Sequence, residues 1–437
     1  MSPEPCQWIR ELRVEDIPAD ALEEARLCLL DTLGVTAAGG QTRLAAIMSG
    51  FVRTQMPGDT PLLFTDGSAS TVGAALYGAA ATDALDAHDG QVLTKGHVGA
   101  TVIPALLALP GIDEVDGGTL LMLVTLGYEI GTRAGIALHA SAPDYHTSGA
   151  WNALGAAAVA GRFFDLSMSQ IQEALGTAEF YGPRSQMMRC IDHPTMVKDG
   201  SAWGALGGIS AALLAREGFT GAPAVTLAAK EAGGIWEDLG STWLIQRQYR
   251  KPHPVCRWAQ PAIEAVLSLR DRLPASPEAI REIRVRTFHE AQRLAVTHPD
   301  STEQAQYSLP WPVACAAIGG TVSAFDVSEA GLGDSGRRAL SARIRVVEDE
   351  TFNRRFPAER WAAVDVELDS GQVLKSEPHQ ARGDYQAPLS RSELIAKFHD
   401  LADPCLGRTR AAQIRESIDS LDHDTTAAGL VRLTGGA

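Results

Sequence analysis

The fold class predicted by this sequence is mainly α with a smaller α+β domain. Three observations predict it. The first 265 or so residues place apolar side chains at helical spacing, the segments 281–288, 342–347 and 364–374 alternate apolar and polar side chains, and helical signals return after Pro388.

In IPADALEEARLCLLDTLGVTAAGG, Asp20 is positioned to cap a helix and Glu23 follows three residues on. Leu22, Ala25, Leu29 and Leu33 then recur on one face, and Gly39-Gly40 ends the run. Further helices are expected over 71–86, 99–109, 119–139, 150–164, 169–180 and 201–217, all rich in Ala, Gly and Leu. Small residues at this density let helices approach closely, so several buried helices in one bundle are expected. After Pro274 the period changes. Ile283, Val285 and Thr287 alternate with Arg284 and Arg286, and residues 342–347 continue in the same style. Val364, Val366 and Leu368 lead to the turn Asp369-Ser370-Gly371, after which Val373-Leu374 resumes as a hairpin. Ser390 and Glu393 then make a capping-box spacing before LIAKFHDLA. The simplest division is a discontinuous helical domain, 1–268 plus 388–437, with the α+β domain inserted at 269–387.

The chain has 437 residues, 45% of them apolar, and a formal net charge of −15. Its acidic balance, with no basic run, argues against nucleic acid and anionic membranes as partners. The N-terminus lacks the basic start and apolar stretch of a signal peptide. Six widely spaced cysteines form no C-x-x-C pair, which suits free thiols better than a disulfide framework or structural zinc. A cytoplasmic globular protein is expected.

Four segments carry polar groups in apolar surroundings. The first holds Asp83, Asp86, His88, Asp89, Lys95 and His97. Asp and His are suitable metal ligands, but the spacing matches no defined metal motif, and a solvated loop would read the same. The second is Tyr145-His146-Thr147-Ser148-Gly149, where Thr147 or Ser148 is a natural cap for the helix that follows. The third runs from Met187 to Gly200, with Arg189 and Lys198. A lysine before a helix N-terminus is a poor dipole partner, so Lys198 is expected to answer an anion from elsewhere. The fourth is KPHPVCRWAQP, presenting Lys251, His253, Cys256 and Arg257. Only six of the 38 basic residues are lysines, and three of them, Lys95, Lys198 and Lys251, fall in these segments. If the fold joins the segments, they form a basic pocket for a small polyanion, with groups for proton transfer.

Along essentially its full length the chain resembles the MmgE/PrpD family, through ALDAHDGQVLTKGHVGATVIPALLAL, YHTSGAWNALGAAAVAGRFFDL, PTMVKDGSAWGALGGISAALLAREGFTG and KPHPVCRWAQPAIEAV. That family includes 2-methylcitrate dehydratase, cis-aconitate decarboxylase and iminodisuccinate epimerase. The resemblance implies a helical domain with a lid, a homodimer, no cofactor or metal, and a small carboxylate substrate. By motif it carries Asp86, His97, His146 and Lys198 over as catalytic residues and matches Lys251 to the lysine of the K-x-x-P segment. Tyr145, Lys251, Lys95, Arg189, Cys256 and Arg257 are expected to bind substrate. His97 and Lys198 are expected to move the proton, with Asp86 orienting His97. Three positions depart from the decarboxylase pattern: Gly90 replaces a threonine, Cys256 a histidine and Trp311 a tyrosine. These changes are expected to alter hydrogen bonding around the substrate.

The leading expectation is a cofactor-independent lyase of the 2-methylcitrate dehydratase type. An epimerase of an amino- or imino-dicarboxylate and a cis-aconitate decarboxylase-like enzyme are the alternatives. Readings from other classes are metal-dependent hydrolysis on Asp86, His88, Asp89 and His97, and a non-catalytic carboxylate-binding protein.

Overall fold

The computed structural model describes residues 4–436 and is mostly helical, with one small sheet region. The helices lie close to their expected positions: Ala19–Gly39, Thr71–Asp83, Gly99–Leu107, Gly117–Ser141, Gly149–Phe163, Met168–Tyr181 and Ser201–Arg216. Three of these starts are set by side-chain hydrogen bonds. The Ser70 side chain accepts from the Gly73 amide, Asp116 accepts from the Thr119 amide, and Ser167 forms a capping box with Gln170. Asp20 does not cap. Pro18 occupies the N-cap position of Ala19–Gly39, and Asp20 sits inside the first turn, accepting from the neighbouring Ala21 amide.

Close approach explains the small residues. A Cβ on Gly208 would lie 2.4 Å from the Ala153 carbonyl oxygen, so the Ser201–Arg216 and Gly149–Phe163 helices meet backbone to backbone. The 25-residue Gly117–Ser141 helix is long and apolar enough to cross a membrane by length and composition, yet 94% of its most apolar window is buried inside the protein. It is a core helix, and Arg133 ties it to Asp238 and to the carbonyls of Ile235 and Thr242.

The sheet is mixed, with spatial order Ile344–Glu348, Ile280–Thr287, Trp361–Leu368 and Val373–Lys375, and His379–Gln380 pairs with Trp361–Ala362. Ile283 lies opposite Ile344 in the parallel pair, and Val285 opposite Val364 in the antiparallel pair. This register puts the apolar set on one face, where it joins a second core with the helices Gln260–Leu267 and Pro310–Gly319. The C-terminal helix Arg391–Leu406, started by the Ser390/Glu393 capping box, returns to pack on Ala19–Gly39. There the Lys397 ammonium donates to Asp31 at 2.6 Å and to the Ala87 carbonyl at 2.7 Å. Leu85 and Ala87 belong to the second core while the helix before them belongs to the first, so the segment 84–98 runs along the seam between them.

Candidate active site

The seam segment 84–98 is fixed from several sides. Gly90–Gln91 pairs antiparallel with Gln248–Tyr249, and the Asp89 carboxylate accepts from the Tyr128 hydroxyl and the Gly99 amide. His97 is held most completely. Its amide donates to Ser148 Oγ at 3.0 Å, its carbonyl accepts from Asn152, and its Nδ1 lies 2.5 Å from the Asp89 carbonyl oxygen. A carbonyl can only accept, so Nδ1 carries the proton and Nε2 keeps its lone pair. Burial, together with the charges of His88 and Lys251, holds the His97 pKa well below its usual value. His97 is therefore a neutral imidazole with its basic nitrogen available. Its orienting partner is the Asp89 carbonyl, in place of the Asp86 side chain expected from the sequence.

Asp86 is engaged elsewhere. Its carboxylate accepts from the Lys251 ammonium, and both side chains are enclosed. Burial alone would raise the Asp86 pKa, but the Lys251 charge, with His88 and His97 behind it, draws it well below the carboxylate range. Behind this pair lies a second acidic layer. Asp83 Oδ1 is 3.2 Å from His88 Nε2, and Asp83 Oδ2 accepts from the Asp199 amide. Burial, followed by the charge of Asp83, pushes Asp199 up to about 8, and its carboxyl accepts from the Ser148 hydroxyl and amide. Ser148 thus links Asp199 to His97 and does not cap the following helix, as the sequence had led us to expect.

A narrow cavity opens onto these groups, lined by Asp86, His97, Lys95, Tyr145, Tyr249 and Tyr307 together with Cys256, Arg257, Trp258 and Arg360. A wider cleft of about 640 Å³, bordered by Gln41, Leu85, Phe325 and Cys405, contains no histidine or lysine. Of the residues expected from the sequence, Asp86, Lys95, His97, Tyr145, Cys256 and Arg257 come together at the cavity. Arg257 is paired there with Asp384 at 2.9 Å. Burial holds the Cys256 thiol up to about 12, so it is neutral. Lys251 sits behind Asp86 and does not face the cavity. Lys198 sits one layer back, donating to Gln306 Oε1 at 2.5 Å and lying 5.0 Å from the centre of the Tyr307 ring. Its nearest partner is thus a neutral amide, where an anion was expected.

Two expected residues stand outside. Arg189 is exposed and donates to Ser185. His146 is half-buried on the far side of Tyr145, its Nδ1 bonded to the Asp144 carbonyl and its amide to His139. Trp311 also lies off the site: it is fully buried and donates to the Asp326 carbonyl. The tyrosine at the cavity is Tyr307, four residues earlier. Gly90 has a direct structural reason, since a Cβ there would lie 2.4 Å from Tyr249 Oη and 2.8 Å from His97 Nδ1.

Sequence reading missed Tyr249, Gln306, Tyr307 and Arg360. Tyr249 and Gln306-Tyr307 adjoin motifs and could have been found from them; Arg360, in PAERWAAV, carries no such signal. The backbone supplies another. Lys95 and Lys198 both adopt left-handed conformations, with φ of 53° and 51°, a conformation that strains side-chain-bearing residues and concentrates at functional sites.

Asp86, His88 and His97 bring possible metal-ligand atoms within 4.8 Å of one another. The donor set does not fit a resident cation, because the Lys251 ammonium already occupies the Asp86 carboxylate and Asp83 engages His88.

Family models for the MmgE/PrpD N-terminal domain and C-terminal domain match residues 4–237 and 253–423. The chain belongs to the MmgE/PrpD family. It is similar to the cis-aconitate decarboxylase-like protein oryM of Aspergillus oryzae, at 22% identity over 99% of this chain and 96% of that one. The cis-aconitate decarboxylase of Aspergillus terreus is 22% identical over 98% and 94%, and that of Mus musculus 23% over 98% and 92%. At the level of the family, these relatives support a lyase-like activity for this MmgE/PrpD protein.

Proposed function

We propose that this MmgE/PrpD protein is a cofactor-independent lyase of the 2-methylcitrate dehydratase type. It removes a Cα proton from a small di- or tricarboxylic acid and expels a β-hydroxyl. The observation that carries this reading is His97, whose Nδ1–H is pinned to the Asp89 carbonyl so that a neutral Nε2 serves as base at the cavity. His97 Nε2 takes the Cα proton, the C–H electron pair becomes the new double bond, and the β C–O bond breaks. Burial raises the pKa of Tyr307 well above its usual value, so the phenol is protonated and gives its proton to the departing hydroxyl, releasing water. The Lys198 ammonium beneath the ring steadies the resulting phenolate until His97 returns a proton through solvent. The paired Asp86 and Lys251 fix the floor of the site.

Proton NMR in D₂O with citrate-, malate- and aspartate-like acids tests the reading. Elimination yields a vinylic product, and deuterium enters Cα of unconverted substrate. No exchange with any member of the panel would sink the proposal. Decarboxylation is the second reading, favoured by the names of the relatives, and would show as a decarboxylated product in the same spectra. Exchange with inversion and no net conversion would indicate an epimerase. We also propose a homodimer; exposed Phe180, Tyr181, Trp203 and Leu214 on the Met168–Tyr181 and Ser201–Arg216 helices supply an apolar face for it, and light scattering gives the mass.

A further inference from the structure

Arg360 is a buried cation without a partner. It is 7% exposed, none of its nitrogens makes a hydrogen bond or ion pair with another described residue, and its Nε is fully enclosed. It immediately precedes the strand Trp361–Leu368 and lines the same cavity as His97. Its position is built by packing: the guanidinium lies 5.8 Å from the Phe356 ring, which stacks on the buried Phe288 at 4.7 Å, and Trp258 closes the cluster edge-on. Lys95 lines the same cavity, held over the Tyr145 ring at 5.2 Å and likewise without an ion pair among the described residues. The ionisable groups around Arg360 are Tyr249, Arg257, Tyr145, Lys95 and Asp384, Glu290 acts on Lys95, and the charged groups around His97 are His88, Lys251 and Asp86.

An unpaired guanidinium in an enclosed site is unfavourable, and no carboxylate among the described residues offsets it here. Asp86 cannot offset it, since Lys251 already neutralises that carboxylate. Asp384 cannot either, since Arg257 holds it. The planar fork of Arg360 instead matches a carboxylate in bidentate fashion, with the Lys95 ammonium as a second donor.

We propose that Arg360, with Lys95, forms a carboxylate subsite that holds one acid group of the substrate, so that the preference for acids with at least two carboxylates rests on these two residues. The inference rests on the reading above that the substrate is a carboxylate. It adds which residue holds the second acid group and what the site rejects.

Calorimetric titration of the wild-type protein with succinate, citrate and butyrate tests it. Succinate and butyrate share a four-carbon chain and differ by one carboxylate. Succinate or citrate is expected to bind at least tenfold more tightly than butyrate. Arg360→Gln is expected to erase that preference, and Arg360→Lys to reduce it about tenfold, because charge remains but the fork is lost. A preference unchanged in Arg360→Gln overturns the subsite while leaving the carboxylate reading intact. Failure of all three acids to bind the wild-type protein would count against the carboxylate reading itself. Melting without ligand supplies the folding control. Arg360→Met removes an uncompensated charge and is expected to melt at or above the wild-type temperature, with succinate no longer raising it. A melting point several degrees lower, with the succinate shift retained, would assign Arg360 a structural role and overturn the proposal.

Discussion

Lys251 and Asp86 form an ion pair with no appreciable exposure, joining the K-x-x-P segment to the loop that carries His97. Removing either partner strands the other charge inside the protein, a cost of about 3–5 kcal/mol. Asp86→Asn and Lys251→Met should therefore each destabilise the fold by roughly that amount in urea unfolding. The double variant Asp86→Asn/Lys251→Met should lose much less than the sum, because no charge is left unanswered. Additive losses would show that the pair is not the connection between these segments.

Buried histidines set the acid side of stability. Burial holds His253 and His139 down to about 4 and His97 well below its usual value. Between pH 6.5 and 4 the unfolded chain therefore binds protons that the folded chain refuses, and stability falls as pH drops through that window. The raised carboxyls of Asp199 and Glu129 act in the opposite sense, losing their contribution as pH rises towards 8 and 7 respectively. A variant isolates one term. His253→Phe should shrink the loss of unfolding free energy between pH 7 and 5 by about 2 kcal/mol, measured in urea. The activity profile is expected to stay flat from pH 8 down through 6.5, since His97 remains neutral there. An acid limb centred at 6.5 would point to a different base.

Much of this protein was legible from periodicity, and the reason is physical. Ile283, Val285 and Thr287 alternate because one face of their strand is buried, and the Ala- and Gly-rich helices are apolar all round because neighbours cover them on every side. The motifs likewise marked Asp86, Lys95, His97, Tyr145, Cys256 and Arg257, which meet at one cavity. Partner choice was not legible. Nothing in the spacing of Asp86 and His97 shows that Lys251, 165 residues away, takes the carboxylate, or that the Asp89 backbone takes the imidazole proton. Arg360 was invisible for the same reason: an arginine before a strand reads as a solvated residue until the fold encloses it.

Gly90 is required by Tyr249. The tyrosine ring cannot yield easily, because the Arg257 guanidinium covers it at 4.4 Å and is itself bonded to Asp384 and to the Arg382 carbonyl. Gly90→Ala should therefore push Tyr249 and His97 apart and lower the rate of Cα deuterium exchange by tenfold or more. Adding Tyr249→Ala to Gly90→Ala removes the obstruction and should recover part of the rate. An undiminished rate in Gly90→Ala alone would mean that Tyr249 moves freely.

Gln306 is the joint between the helix Thr302–Gln306 and three motif segments. Its Oε1 accepts from the Asp86 amide at 2.9 Å and from Lys198 Nζ, its Nε2 donates to the Ala84 carbonyl at 3.0 Å, and its own carbonyl accepts from the Cys256 amide. Gln306→Leu keeps the volume but leaves the Lys198 ammonium and the Asp86 amide buried without an acceptor. A loss of about 2–4 kcal/mol is expected in urea unfolding, together with a fall in exchange rate of 10²-fold or more as Lys198 and Tyr307 lose their placement. Gln306→Glu restores an acceptor for Lys198 but gives up the bond to Ala84 and adds a negative charge beside Asp86. It should unfold closer to wild type than Gln306→Leu while remaining slow. The two variants thus separate holding the fold from setting the proton-transfer groups. If Gln306→Leu were as stable and as fast as wild type, the Thr302–Gln306 helix would not position the site through this residue.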